Sequence, residues 1–224
     1  VSCSDSWSGC EQSTYEKTVT SNESWNISIR DKAWNTKDIS YNVDNIDKIG
    51  PTWSTIYYVT DWTNHIVEIE IECSDSLSGC DLEDHSWWNK NWNDYYYRDF
   101  DENTDGVEYI SMRDAAGNIT NVPYEISNID KVAPEITVTY SPSTWTSGNV
   151  IVTIACSDTT SWCNMEDKTW WTKSWDNYIQ EFSTNHSSNQ WFTISDNAWN
   201  STDVSYNVSN IDKTAPTWTL SYAR

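Results

Sequence analysis

Three kinds of aspartate recur in this chain at steady spacing. Asp5, Asp75 and Asp158 each follow a Cys-Ser pair, and Asp31, Asp114 and Asp196 each open a pentapeptide ending in Asn. Asp47, Asp130 and Asp212 each sit in the tetrapeptide Asn-Ile-Asp-Lys. Repeated carboxylates beside the amides of Asn35, Asn118 and Asn200 are the donor chemistry of a hard cation, since calcium takes 6–8 oxygen ligands. Calcium is therefore the candidate cofactor, with Asp47, Asp130, Asp212, Asp114 and Asn118 as candidate ligands. The competing reading is that Asp and Asn are simply good turn formers.

The six cysteines fall as Cys3/Cys10, Cys73/Cys80 and Cys156/Cys163, always Cys-x6-Cys. Six cysteines allow 15 pairings, and repeat symmetry favours the local ones. Each bridge closes a loop of about eight residues, worth roughly 2.5 kcal/mol in the chain-entropy model. Such bridges imply an oxidising compartment. Free thiols and a zinc site are the rivals. Zinc needs four ligands, and His65, His85 and His186 do not recur with the repeat.

No nucleophile elbow or metalloprotease motif occurs, and no carboxylate pair is singled out, so the expectation is a non-enzyme. Aromatic side chains form a local excess: Trp87, Trp88, Trp170 and Trp171, with Tyr95, Tyr96 and Tyr97. Rings of this kind can stack on sugars, which makes a carbohydrate-binding module the alternative function. They can equally fill a β core.

These residues ride on internal repeats. Asp47 and Asp130 are 83 residues apart, and Asp130 and Asp212 are 82 apart. Each Asn-Ile-Asp-Lys is followed by a proline: Pro51, Pro134, Pro216. Two full units span 51–133 and 134–215, residues 1–50 read as a unit lacking its first strands, and 216–224 open another. The cut ends predict a piece of a longer protein. Within a unit the apolar period is two. Val67, Ile69, Ile71 and Cys73 alternate with Glu68, Glu70 and Glu72, and Val150, Val152, Ile154 and Cys156 follow the same rule. Period-two runs between turn signals predict half-buried strands and an all-β fold of tandem β-sandwiches. The connector Asn-Ile-Asp-Lys-x-x-Pro has no Gly/Ser run and ends in a φ-fixing Pro, so it should be ordered and neighbouring sandwiches extended end to end. The net charge of −21 excludes nucleic acid and anionic membrane surfaces as partners. No apolar run nears the ~18 residues of a transmembrane helix.

The succession of a strand ending in CSDSxSGC, a D-x-A-G-N turn, a strand with SYNV and a closing NIDKTAP resembles the immunoglobulin-like tandem repeats of large bacterial surface and adhesin-type proteins. The resemblance covers essentially the whole chain. It implies an extracellular or cell-surface stalk that projects a distal adhesive or binding domain. Its immediate partners would be neighbouring repeats, with any glycan or host-surface partner held by domains outside this segment. Calcium at the junctions is a further implication. Asn118-Ile119-Thr120 and Asn200-Ser201-Thr202 are glycosylation sequons that in a bacterium read as turns.

One departure stands out: 16 Trp against 6 Gly, where average Gly usage is about 7 %. Trp34 and Trp199 align with Gly117, and Trp162 aligns with Gly9 and Gly79. Either exposed turns have drifted, or the gene comes from a lineage that reads UGA as glycine while the written sequence reads it as tryptophan. Trp7, Trp25, Trp34, Trp92, Trp162, Trp175, Trp191 and Trp199 are the candidates. Trp62, Trp145 and the pairs Trp87-Trp88 and Trp170-Trp171 recur between copies and read as true tryptophans. The recoding reading requires positive φ and an exposed ring at 34 and 199.

Overall fold

The computed structural model describes residues 1–91, 94–186 and 188–222, and the described residues form strands, bridges and turns with no helix. The candidate Trp92 lies outside the described residues. An antiparallel hairpin comes first, β1 (Glu23–Arg30) with β2 (Thr36–Val43). Next come β3 (Thr52–Tyr57), β4 (Val67–Ser74), β5 (Cys80–Asp81), β6 (Asn89–Lys90), β7 (Tyr95–Phe100), β8 (Glu108–Asp114) and β9 (Ile119–Tyr124). They form a four-stranded sheet in the order β3-β4-β7-β6 and a three-stranded sheet, β5-β8-β9. The same series then repeats as β10 (Glu135–Ser141), β11 (Val150–Ser157), β12 (Cys163–Asn164), β13 (Thr172–Ser174), β14 (Asn177–Phe182), β15 (Gln190–Asp196) and β16 (Ser201–Tyr206). Its sheets are β10-β11-β14-β13 and β12-β15-β16.

The strands obey the alternation of their sequence. In β4, Val67, Ile69, Ile71 and Cys73 are buried while the glutamates between them are not. In β11, Val150, Val152, Ile154 and Cys156 are buried. One core joins both sheets of the second series: Val152, Ile154 and Tyr178 from one meet Phe192, Ile194 and Tyr206 from the other. Burying such side chains stabilises by roughly 1.5–3 kcal/mol each. Burial also pushes the Tyr96 phenol up to about 12, and its Oη donates to the Glu83 carbonyl at 2.7 Å.

Chain contacts divide the molecule into two compact units. One comprises Val1–Ile56, Ile69–Arg98 and Val107–Tyr124, and the other Tyr57–Glu68, Asp99–Gly106 and Glu125–Arg224. In the first, the β1–β2 hairpin buries only Ile29 among its apolar side chains, and Trp25 stands opposite Tyr41 across the hairpin. In the second, Asn-Ile-Asp is pinned as a short parallel bridge, Thr63 to Ile129, and its later copy as Thr146 to Ile211. Asn103 and Asn185 each accept from the Ile amide and donate to its carbonyl. These contacts tie both ends of each Ile peptide unit to a neighbouring strand connection.

Candidate metal centre

Disulfides shape the ground on which the site stands. Cys3–Cys10, Cys73–Cys80 and Cys156–Cys163 are bonded, and no described cysteine is free. Each closes a loop headed by an aspartate. Asp75 Oδ1 accepts from the amides of Leu77, Ser78 and Gly79 at 3.0, 2.8 and 2.8 Å. Asp158 Oδ1 accepts from Thr160 and Trp162 at 3.0 and 2.7 Å. Three bridges are the signature of an oxidising environment.

The loop then docks on the next hairpin. The Gly79 carbonyl accepts from the Ala115 amide at 2.9 Å, and the Trp162 carbonyl from Asn197 at 3.0 Å. That hairpin turn is a three-residue loop of a common type, a type I turn followed by a left-handed residue. Gly117 N donates to Asp114 O and Asp114 N to Asn118 O, both at 3.1 Å. Asn118 also clamps the Asp114 carboxylate, through its amide at 2.8 Å and its Nδ2 at 2.7 Å. Asn200 holds Asp196 in the same way at 2.9 and 2.8 Å. Asp114 and Asp196 are thereby fully buried. Asn118 further reaches the Ile49 carbonyl and Asn200 the Asp130 carbonyl, which draws the Asn-Ile-Asp-Lys segment onto the turn.

Three carboxylates converge as a result. Asp47, Asp75 and Asp114 each place an oxygen within 4.8 Å of the other two, and Asp130, Asp158 and Asp196 do likewise. The first triad lies wholly in one compact unit and the second wholly in the other. Ionised carboxylates at that separation repel by about 3–4 kcal/mol per pair at an effective dielectric near 20. No lysine or arginine ion pair among the described residues reaches any of the six. Each triad also holds a buried polar atom without a hydrogen-bond partner: Asp47 Oδ2 in the first, Ser161 Oγ in the second. Ser161 is fully buried, and its amide donates to Asp130 Oδ2 at 3.1 Å. In the sister site Ser78 is the largest influence holding the Asp47 carboxyl below its usual range, followed by the Ile49 amide. Ser78 lies close, yet no donor meets Asp47 Oδ2 with hydrogen-bond geometry.

Oxygen-only donors, net charge −3 and a buried orphan oxygen fit a hard divalent cation and do not suit zinc. Oxygens on one calcium lie no more than about 5 Å apart, because Ca–O is ~2.3–2.6 Å. Of the expected ligands, Asp47, Asp114 and Asp130 join a triad. Asn118 orients Asp114. Asp212 stands apart, exposed, accepting from Thr214. Asp75, Asp158 and Asp196 complete the triads. They recur with the repeat, but only the folded register shows which three carboxylates meet.

The paired tryptophans divide. Trp88 packs edge-on against Tyr124 at 5.1 Å, and Trp171 against Phe192 and Tyr206 at 5.1 and 5.3 Å. Trp87 and Trp170 point outward. Neighbouring rings thus face opposite ways and form no flat pair. No family model matches the chain, nor does any curated protein or solved structure.

Proposed function

We propose that this region is a non-catalytic structural stalk of a secreted or cell-surface bacterial protein, built from tandem immunoglobulin-like sandwiches and stiffened by calcium at each acid triad. The single observation that carries the reading is the duplicated triad. Each one gathers a carboxylate from the Asn-Ile-Asp-Lys connector, one from a disulfide loop and one from a hairpin turn. A cation there cross-links three chain segments distant in sequence, which is a mechanical task. Asp47, Asp75 and Asp114, or Asp130, Asp158 and Asp196, would hold the ion. It would supply charge neutralisation and the cross-link. Asn118 and Asn200 fix the rotamer of the third ligand. The disulfide loop fixes the second.

The acidic surface and the three disulfides fit an extracellular setting, and a stalk that touches little needs no binding cleft. Hydrogen exchange tests the reading. In millimolar calcium, amides of 45–50 and 128–133 should exchange at least tenfold more slowly than in chelator, while the β11 core stays unchanged. Equal exchange in both conditions would remove the mechanical role.

A further inference from the structure

We infer that positions 34, 87, 162, 170, 175 and 199 are glycine positions, and that the protein as its own cell makes it carries glycine at all six. Seven non-glycine residues among those described have positive φ, and six of them are tryptophan: Trp34 at 71°, Trp87 at 72°, Trp162 at 62°, Trp170 at 72°, Trp175 at 53° and Trp199 at 71°. A bulky residue in this region is a genuine outlier, whereas glycine enters it freely. The sister residues that are glycine share the conformation: Gly117 at 90°, Gly9 at 76° and Gly79 at 78°.

Five of the six positions sit in turns whose hydrogen bonding or loop length calls for glycine, and position 162 matches Gly9 and Gly79 of the sister loops. Positions 34, 117 and 199 are the left-handed residue after a type I turn, closed by the same pair of backbone hydrogen bonds. Trp87 and Trp170 are third residues of four-residue turns in which Trp88 N donates to His85 O and Trp171 N to Lys168 O. A positive φ there calls for glycine. Trp175 opens the two-residue loop between β13 and β14, another glycine place. Space is not the constraint, since a Cβ added at Gly79 or Gly117 meets nothing within 4 Å. Backbone conformation alone makes the demand.

The rings have no seat. All six tryptophans are between 62 % and 92 % exposed. Trp34 lies under the Arg30 guanidinium, and Trp162 meets the edge of Trp62. Of the tryptophans at ordinary φ, Trp88 and Trp171 pack into cores while Trp7, Trp145, Trp191 and Trp218 are exposed, so it is the left-handed backbone, more than exposure, that sets the six apart. A cell that reads UGA as glycine would place glycine, written here as tryptophan, at these left-handed turn positions. The inference stands independently of the cation. It also removes Trp87 and Trp170 from the aromatic excess that suggested sugar binding.

Two measurements test it. Recombinant chain with tryptophan at all six positions is compared with the sextuple W34G, W87G, W162G, W170G, W175G, W199G variant and with the matching Trp→Ala set. The glycine set should raise the unfolding midpoint by several degrees and the alanine set by less, because alanine keeps a Cβ at positive φ. Alanine performing as well as glycine, or glycine lowering the midpoint, would overturn the inference. In protein from the native cell, the tryptic peptide 33–37 should read Ala-Gly-Asn-Thr-Lys; tryptophan in that peptide overturns it outright.

Discussion

Asp158 separates the two jobs a triad carboxylate performs. Its Oδ1 accepts from the Thr160 and Trp162 amides, and an asparagine keeps that oxygen while losing the charge. Asp158→Asn should therefore leave the metal-free fold as stable as before, or more so, because like-charge repulsion falls. Calcium affinity at that triad should drop on the order of tenfold or more, since ligand charge count tunes affinity. Melting in chelator and in calcium reads both effects. A variant that melts lower in chelator would show Asp158 to be a structural residue alone. Residue-scale chemistry was partly legible in the sequence. Recurrence singled out the aspartates, but not which three converge, because that depends on the register of β8 with β9 and on the docking of the disulfide loop. The left-handed backbone at Trp87 and Trp170 was not legible for a physical reason: both copies are written alike, so no sister glycine marks the turn. Trp25, a glycine candidate on sequence grounds, lies inside strand β1 without a left-handed backbone.

At the scale of elements, disulfide loops and hairpins support one another. Cys156→Ser with Cys163→Ser should cost about 2.5 kcal/mol by chain entropy. It should also weaken calcium binding, since Asp158 heads the released loop. Equal calcium affinity with and without the bridge would show the loop to be fixed by its hydrogen bonds alone. The buried tyrosines give a pH dependence. Burial raises the Tyr96 and Tyr124 phenols from 10.0 to about 12. The folded state keeps a proton that the unfolded chain releases, so their contribution is complete below pH 10 and lost as pH rises toward 12. Tyr96→Phe should flatten part of that alkaline decline in the thermal midpoint. Strands such as β4 and β11 were readable from their apolar alternation. The two- and three-residue strands β5, β6, β12 and β13 were not, because they hold too few residues to show a period.

At the scale of the whole molecule, a net charge of −21 distinguishes specific from general cation effects. Sodium chloride should stabilise modestly by screening, whereas calcium at far lower ionic strength should act through two defined centres. The most direct measurement is a calorimetric titration of chelator-stripped protein with calcium, in salt enough to suppress diffuse binding. The account predicts saturable heat with a stoichiometry of two tight sites per chain, falling to one tight site, the other weakened, in Asp158→Asn and again in Asp75→Asn. Absence of saturable heat, or two sites of undiminished affinity in both variants, would contradict it.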